Sequence, residues 1–309
     1  MIPEFVKQRE ANGEPFDLYF AGSQSDLTET WMLENGTCRL QSQLNDRNNI
    51  KRWCENNKHG KLFIDSGAYT AFTLGKKIDI EEYISYINSI TENLTCFAQV
   101  DFIPGNVEES RKAPQLSWEN YLYMRSKVKE PDKLIPIYHQ SEHWDWLHNM
   151  LSYRDENGEQ IKYIGFGALV GASTVQRNNF FNKAFSIIAE SDNPNIKVHA
   201  MGMTSLPLLE MFPFYSADST GWIMTGASGI IMTPWGHIDV SEKGKYTKTH
   251  LTNISNKEVV LEWLDKNGLN VEELCSDYKK RMLCNLIYLT EWAKNYKFKG
   301  MTSYKKSLF

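Results

Sequence analysis

The sequence predicts a (β/α)8 barrel, an α/β fold in which parallel strands close on themselves and helices cover the outside. Short apolar, β-branched or aromatic runs alternate with longer helical patterns, as βα units require. Eight such runs can be counted, which favours closure over an open sheet. The length, 309 residues, suits a barrel of about 250 residues carrying an extension.

The runs are Asp17–Ala21, Leu62–Asp65, Phe97–Asp101, Leu134–Tyr138, Tyr163–Phe166, Lys197–Met201, Phe214–Asp218 and Gly229–Met232. Helical periodicity fills the gaps, as over Ile80–Ile90, where Ile80, Tyr83, Ile84, Ile87 and Ile90 fall on one face, and over Phe180–Ala189. The last units are expected to be irregular, because the spacers between the sixth, seventh and eighth runs are too short for full crossover helices. A polar stretch from His237 to Asn256 reads as a loop or hairpin excursion, and two closing helices are expected over Lys257–Lys266 and Val271–Asn295. No linker composition interrupts the chain. The simplest division is a catalytic core over 1–235 with an excursion and C-terminal helices over 236–309 in the same domain.

Composition narrows the class. Hydrophobic residues at 41% and charged residues at 23% suit a packed globular protein. No stretch approaches about 18 consecutive apolar residues, and the N-terminal residues carry no apolar signal region, so no membrane partner and a cytoplasmic setting are expected. Cys38, Cys54, Cys96, Cys275 and Cys284 are irregularly spaced and include no CxxC, as for reduced thiols without a structural zinc site. A net charge of −4 excludes a uniformly basic nucleic-acid coat. Basic residues do gather near the C-terminus, where Lys279, Lys280, Arg281, Lys294, Lys297, Lys299, Lys305 and Lys306 face one acid, Glu291. A patch of this kind reads equally well as a solvated helix face.

Barrel chemistry sits at the C-terminal ends of strands. Here those ends carry Asp65-Ser66-Gly67-Ala68-Tyr69, Asp101, His139-Gln140, the turn from Gly167 through Ala168 and Leu169 to Gly171, Met201-Gly202 and Asp218. Singly, each aspartate is as readily a turn former or helix cap. Three on one mouth point to chemistry. Paired carboxylates can run a displacement at a sugar carbon, one as nucleophile and one as acid or base, which fits glycosidases, nucleosidases and base-exchange enzymes alike. A planar heterocycle would be held between Tyr69 and Met201, with its edge read by Asp101, Ser66 and the backbone of the Gly167–Gly171 turn. Ordinary core packing also accounts for Tyr69 and Met201. A metal site built on His139 lacks HxH or HExxH spacing, so no metal and no cofactor are expected.

In this order, the motifs resemble the queuine and archaeosine tRNA-guanine transglycosylase superfamily. Asp65-Ser66-Gly67-Ala68-Tyr69 is similar to its DSGG-aromatic motif, Gly167-Ala168-Leu169-Val170-Gly171 to its GGLAVG turn and Met201-Gly202 to its YLMGVG strand end, while Phe214–Asp218 falls where the family has its second essential aspartate. The resemblance implies that Asp218 is the nucleophile at C1′ and Asp65 the general acid/base. It also implies that Asp101 reads the guanine-type edge, the Ala168 N–H binds O6, and Tyr69 and Met201 sandwich a base flipped out of the stack. The family's zinc motif is absent, His139 stands where it has glutamine, and Ala172 or Ser173 where it has a glutamate reading a cationic 7-substituent. Compact zinc-free chains of this kind resemble the phage DNA-guanine transglycosylases, the DpdA group. The resemblance therefore implies DNA and a free 7-deazaguanine, such as the neutral 7-cyano base, as partners, with tRNA exchange or a nucleosidase or DNA glycosylase as alternatives. Trp222 and Trp235, just past the seventh and eighth strands, are candidates for stacking on neighbouring bases, although such tryptophans more often cap a core.

Overall fold

A computed structural model describes residues 2–22, 25–44, 47–56, 60–167, 171–203 and 205–300. After helix α1 (Glu4–Asn12) come β1 (Asp17–Phe20), α2 (Asp26–Glu34), β2 (Cys38–Ser42), α3 (Arg47–Asn56), β3 (Leu62–Asp65), α4 (Ala68–Thr73), α5 (Ile80–Ile90), β4 (Cys96–Ala98) and α6 (Val107–Arg125). The second half runs β5 (Leu134–Ile135), β6 (Ile137–His139), α7 (Trp144–Ser152), β7 (Tyr163–Gly167), α8 (Thr174–Glu190), β8 (Lys197–Ala200), α9 (Leu206–Met211), β9 (Ser216–Ser219) and α10 (Gly221–Ala227). Beyond these lie a hairpin, β10 (Ile230–Thr233) and β11 (Gly236–Asp239), and helices α11 (Lys257–Lys266), α12 (Val271–Ser276) and α13 (Tyr278–Lys294).

Strands β1 to β9 form one parallel sheet in the order β5-β4-β3-β2-β1-β9-β8-β7-β6. Its two edge strands, β5 and β6, are one chain segment interrupted by Pro136, which has no N–H to give the ladder. The β5 half pairs with β4 and the β6 half with β7, so the sheet meets itself and the barrel has eight staves. Side chains of Tyr19, Leu40, Phe63, Ala98, Ile135, Ile137 and Tyr163 fill its interior. A larger apolar layer, including Ile64, Phe97, Phe166, Val198 and Ala217, lies between strands and helices. Arg9 of α1 reaches beneath the barrel, donating to the Tyr215 carbonyl at 2.6 Å and stacking on Phe16, Tyr215 and Tyr296.

The predicted barrel is observed, but two strands are exchanged relative to expectation. The eighth stave is not Gly229–Met232. That run pairs antiparallel with β11 outside the barrel. The place is taken by β2, Cys38–Ser42, which pairs with both β1 and β3. Its pattern is masked by Arg39 and Gln41, both buried. Arg39 is tolerated there because its guanidinium bonds Glu29 at 2.6 Å and the carbonyls of Phe20 and Leu40. Helices α5 and α11 match their expected spans, and α8 extends the expected helix to Thr174, where Ser173 and Gln176 form a capping box. The expected single helix over Val271–Asn295 is two, broken at Asp277, whose extended backbone and side chain cap α13. The last barrel unit is abbreviated as expected, with α9 only six residues long.

Candidate active site at the barrel mouth

Register carries the chemistry-bearing residues to one end of the barrel. Asp65 stands opposite Ser42, Asp218 opposite Tyr19 and His139 opposite Gly167, all at C-terminal strand ends. Asp101 lies just beyond β4, joined to this rim through His139.

Asp218 is 7% exposed, and its Oδ1 is held from two directions. His199 Nε2 donates at 3.0 Å and the Gly202 backbone N–H at 2.9 Å. Gly202 has a φ of 64°, the left-handed conformation that favours glycine and turns this N–H toward the carboxylate. Among the described residues nothing hydrogen-bonds the other oxygen, Oδ2. Behind His199 the polar contacts continue into the barrel: its Nδ1 meets Ser216 Oγ in a short contact, and Ser216 Oγ meets Tyr163 OH in another. Sequence reading missed this series. The signal was legible in principle, since His199 shares the inward parity of Met201 along β8 and a polar residue at an inward barrel position needs a partner.

Asp65 turns on itself, its Oδ2 accepting from the Gly67 N–H at 2.9 Å. Gly67 has a φ of 75°, and a Cβ there would lie 2.7 Å from Ser42 Oγ and 2.8 Å from Leu44, so this turn needs glycine. Burial pushes the Asp65 carboxyl up to about 6, the charges of Asp218 and Asp101 push the same way, and the Gly67 and Ser66 N–H groups oppose them. A carboxyl so placed exchanges protons near neutral pH, as a general acid/base requires.

His139 bridges two acids. Its Nε2 lies 3.3 Å from Asp101 Oδ2 and its Nδ1 2.8 Å from Glu142 Oε1. Burial alone would lower its pKa, but the flanking carboxylates override it and raise it to about 10. The ring is therefore an imidazolium at neutral pH. Gln99 Nε2 also donates to Asp101. Gly167 makes room for the ring, since a Cβ there would lie 2.7 Å from His139 Cδ2. Glu142, absent from the sequence-level candidates, is thus part of the site.

The remaining candidates are distributed unevenly. Ser66 is buried below the turn, its carbonyl accepting from Gln43. Tyr69, on α4 just past Asp65, is 70% exposed, while Met201 packs against the interior cluster beside Gly165. Ala168 and Leu169 lie outside the described residues, as do Lys305 and Lys306. Trp222 is fully buried, its indole N–H donating to the Ala21 carbonyl at 3.0 Å, so it caps the core and is no stacking platform. Trp235 is half exposed at the hairpin tip.

Three of the six described basic residues of the C-terminal stretch are engaged. Arg281 bonds the Gly226 and Leu274 carbonyls, Lys280 pairs with Glu273 and Lys299 with Glu210. The five cysteines are free thiols. Among the described residues no cluster of three His, Cys, Asp or Glu side chains is arranged to hold a metal ion, and no helix is long and apolar enough to cross a membrane. No family model matches the chain, and no curated protein matches it.

Proposed function

We propose that this protein is a guanine base-exchange transglycosylase acting on DNA. The observation that carries the reading is the pairing of unlike carboxyls at one mouth. Among the described residues Asp218 has one oxygen fixed by two donors and the other unengaged, and Asp65 is a carboxyl raised to about 6. In the reaction Asp218 Oδ2 attacks C1′ of the target nucleotide, and the bond from C1′ to the base nitrogen breaks. Asp65 gives its proton to the departing base. It then takes the N9 proton of the incoming 7-deazaguanine, whose nitrogen attacks C1′ as the ester bond to Asp218 breaks. Two displacements retain configuration at C1′, and Asp65 ends protonated as it began.

Asp101, kept acceptor-rich by its imidazolium partner, suits the N1–H and amino edge of a guanine-type ring. Exposed Tyr69 and Met201 at the interior rim are available for its faces. The target base must leave its stack at a cost of a few kcal/mol, which such contacts offset.

The test supplies labelled 7-cyano-7-deazaguanine with duplex DNA, single-stranded DNA and tRNA in parallel. Label entering DNA is expected, together with a DNA adduct on Asp218 that Asp218→Asn abolishes. Abasic sites without label would replace the transferase by a glycosylase, and exchange confined to tRNA would replace the polymer. Full exchange by Asp218→Asn would remove Asp218 from its role.

A further inference from the structure

We infer that His199, Ser216 and Tyr163 form a proton-ordered chain of positioning residues that fixes one oxygen of Asp218 and presents the other for covalent attack. This rests on the transglycosylase reading of Asp218. None of the three touches the reacting carbon; they act through the carboxylate.

The order of donors follows from the partners. A carboxylate only accepts, so His199 Nε2 carries the proton it gives to Asp218 Oδ1 at 3.0 Å. In the neutral ring that the chain requires, Nδ1 is an acceptor, and its near neighbour Ser216 Oγ, with Tyr163 OH farther off at 3.5 Å, donates its hydroxyl to it. Ser216 Oγ in turn accepts from Tyr163 OH. Burial raises the Tyr163 hydroxyl well above its ordinary value, so it remains a donor throughout the range in which proteins fold. Every proton in the chain points toward Asp218.

The ring cannot turn to another arrangement. His199 is fully buried, with Phe63 at 4.9 Å and Tyr19 at 5.8 Å edge-on to it. With Gly202 N–H the chain saturates Oδ1, and rotation of the carboxylate would break two hydrogen bonds at once. A preorganised nucleophile of this kind avoids reorganisation when C1′ arrives. Removing comparable supporting partners lowers activity by about 10–100-fold.

The experiment uses the full chain and two independent readouts. The first is 15N NMR of selectively labelled histidine. One neutral imidazole with protonated Nε2 and bare Nδ1 is expected, absent in His199→Gln. An Nδ1–H tautomer or an imidazolium assigned to His199 overturns the chain. The second is turnover in the exchange assay. Ser216→Ala and Tyr163→Phe, which remove one hydroxyl each, are expected to lower kcat about 10-fold with KM changed less than about 3-fold. His199→Phe loses about 100-fold, and His199→Gln, whose amide can still donate to Oδ1, recovers part of it. An unchanged kcat in Ser216→Ala, or a loss confined to KM, overturns the proposal. If the wild type exchanges no base, the transglycosylase reading fails on its own account, and the NMR result still decides whether the chain exists.

Discussion

Asp65 is held in a state that its own ionisation opposes. Its carboxyl stands at about 6 against an ordinary 3.8, because burial and the charges of Asp218 and Asp101 disfavour the anion. The folded protein therefore binds this proton more tightly than the unfolded chain does. Between pH 3.8 and about 6 the unfolded chain sheds the proton first, so the stability associated with the protonated carboxyl is lost across that window and stays lost above it. Asp65→Asn, which keeps the acceptor for the Gly67 N–H, is expected to stabilise the fold at pH 7 by about 1–3 kcal/mol while stopping turnover. Denaturant unfolding at pH 4 and pH 7 checks it: the gain should appear at pH 7 and shrink toward pH 4. A variant no more stable than the wild type at pH 7 would mean that Asp65 is not a strained acid. At this scale Asp65, Asp101 and Asp218 were legible from sequence because each follows an apolar run. Parity could place His199 inside the barrel, but its role and that of Glu142 lie in contacts across strands, His199 to Asp218 from β8 to β9 and Glu142 to Asp101 through His139.

Among the elements, β2 was hidden by its own chemistry. A strand announces itself through apolar alternation, yet Arg39 and Gln41 occupy buried positions on it. What compensates the burial of Arg39 is a charge pair at 2.6 Å with Glu29 of α2, and Trp53 of α3 donates to the same carboxylate at 2.9 Å. The pair ties β2 to the two helices that flank it. Removing one partner leaves the other charge buried and unmatched, so Arg39→Met is expected to cost about 3–5 kcal/mol. Replacing both, as Arg39→Met with Glu29→Leu, exchanges a desolvated pair for apolar contact and should recover most of that loss. Chemical denaturation of the two singles and the double checks it, and equal losses in Arg39→Met and the double variant would refute the pairing as the cause. The same physics explains the opposite error at Gly229–Met232. That run is apolar because Ile231 is buried, but it is buried beneath α11 and α13 rather than in the barrel wall. Apolar runs mark burial; they do not name the layer that does the burying.

Across the whole molecule, two cores meet on α13. One face of that helix places Met282, Leu286, Leu289 and Ala293 in the main core with Phe16 and Trp222. Cys284 belongs to the second core, with Ile231 and Ile238 of the hairpin, Trp263 and Leu264 of α11 and Leu274 of α12. Polar bonds reinforce the junction: Asn285, fully buried, donates to the Trp222 carbonyl and accepts from the Met232 N–H, and the Ala293 carbonyl accepts from the Phe16 N–H next to β1. The α13 helix also packs against α2, α10 and β1, so it occupies the flank where the barrel closes between β9 and β1. Sequence reading foresaw helices docked on the barrel, but not that one of them is shared between two cores, because amphipathic spacing does not reveal a helix buried on more than one side. A fragment of residues 1–235 would expose this flank. Each large apolar side chain left unburied forfeits about 1.5–3 kcal/mol, and several are lost together against a total stability of about 5–15 kcal/mol. The fragment is therefore expected to lose its cooperative unfolding transition and its near-UV circular dichroism, and with them the alignment of Asp218, whose strand lies at the opened flank. A fragment that unfolded cooperatively near the melting temperature of the full chain would show instead that the barrel core stands alone and that α13 is a covering rather than a stave support.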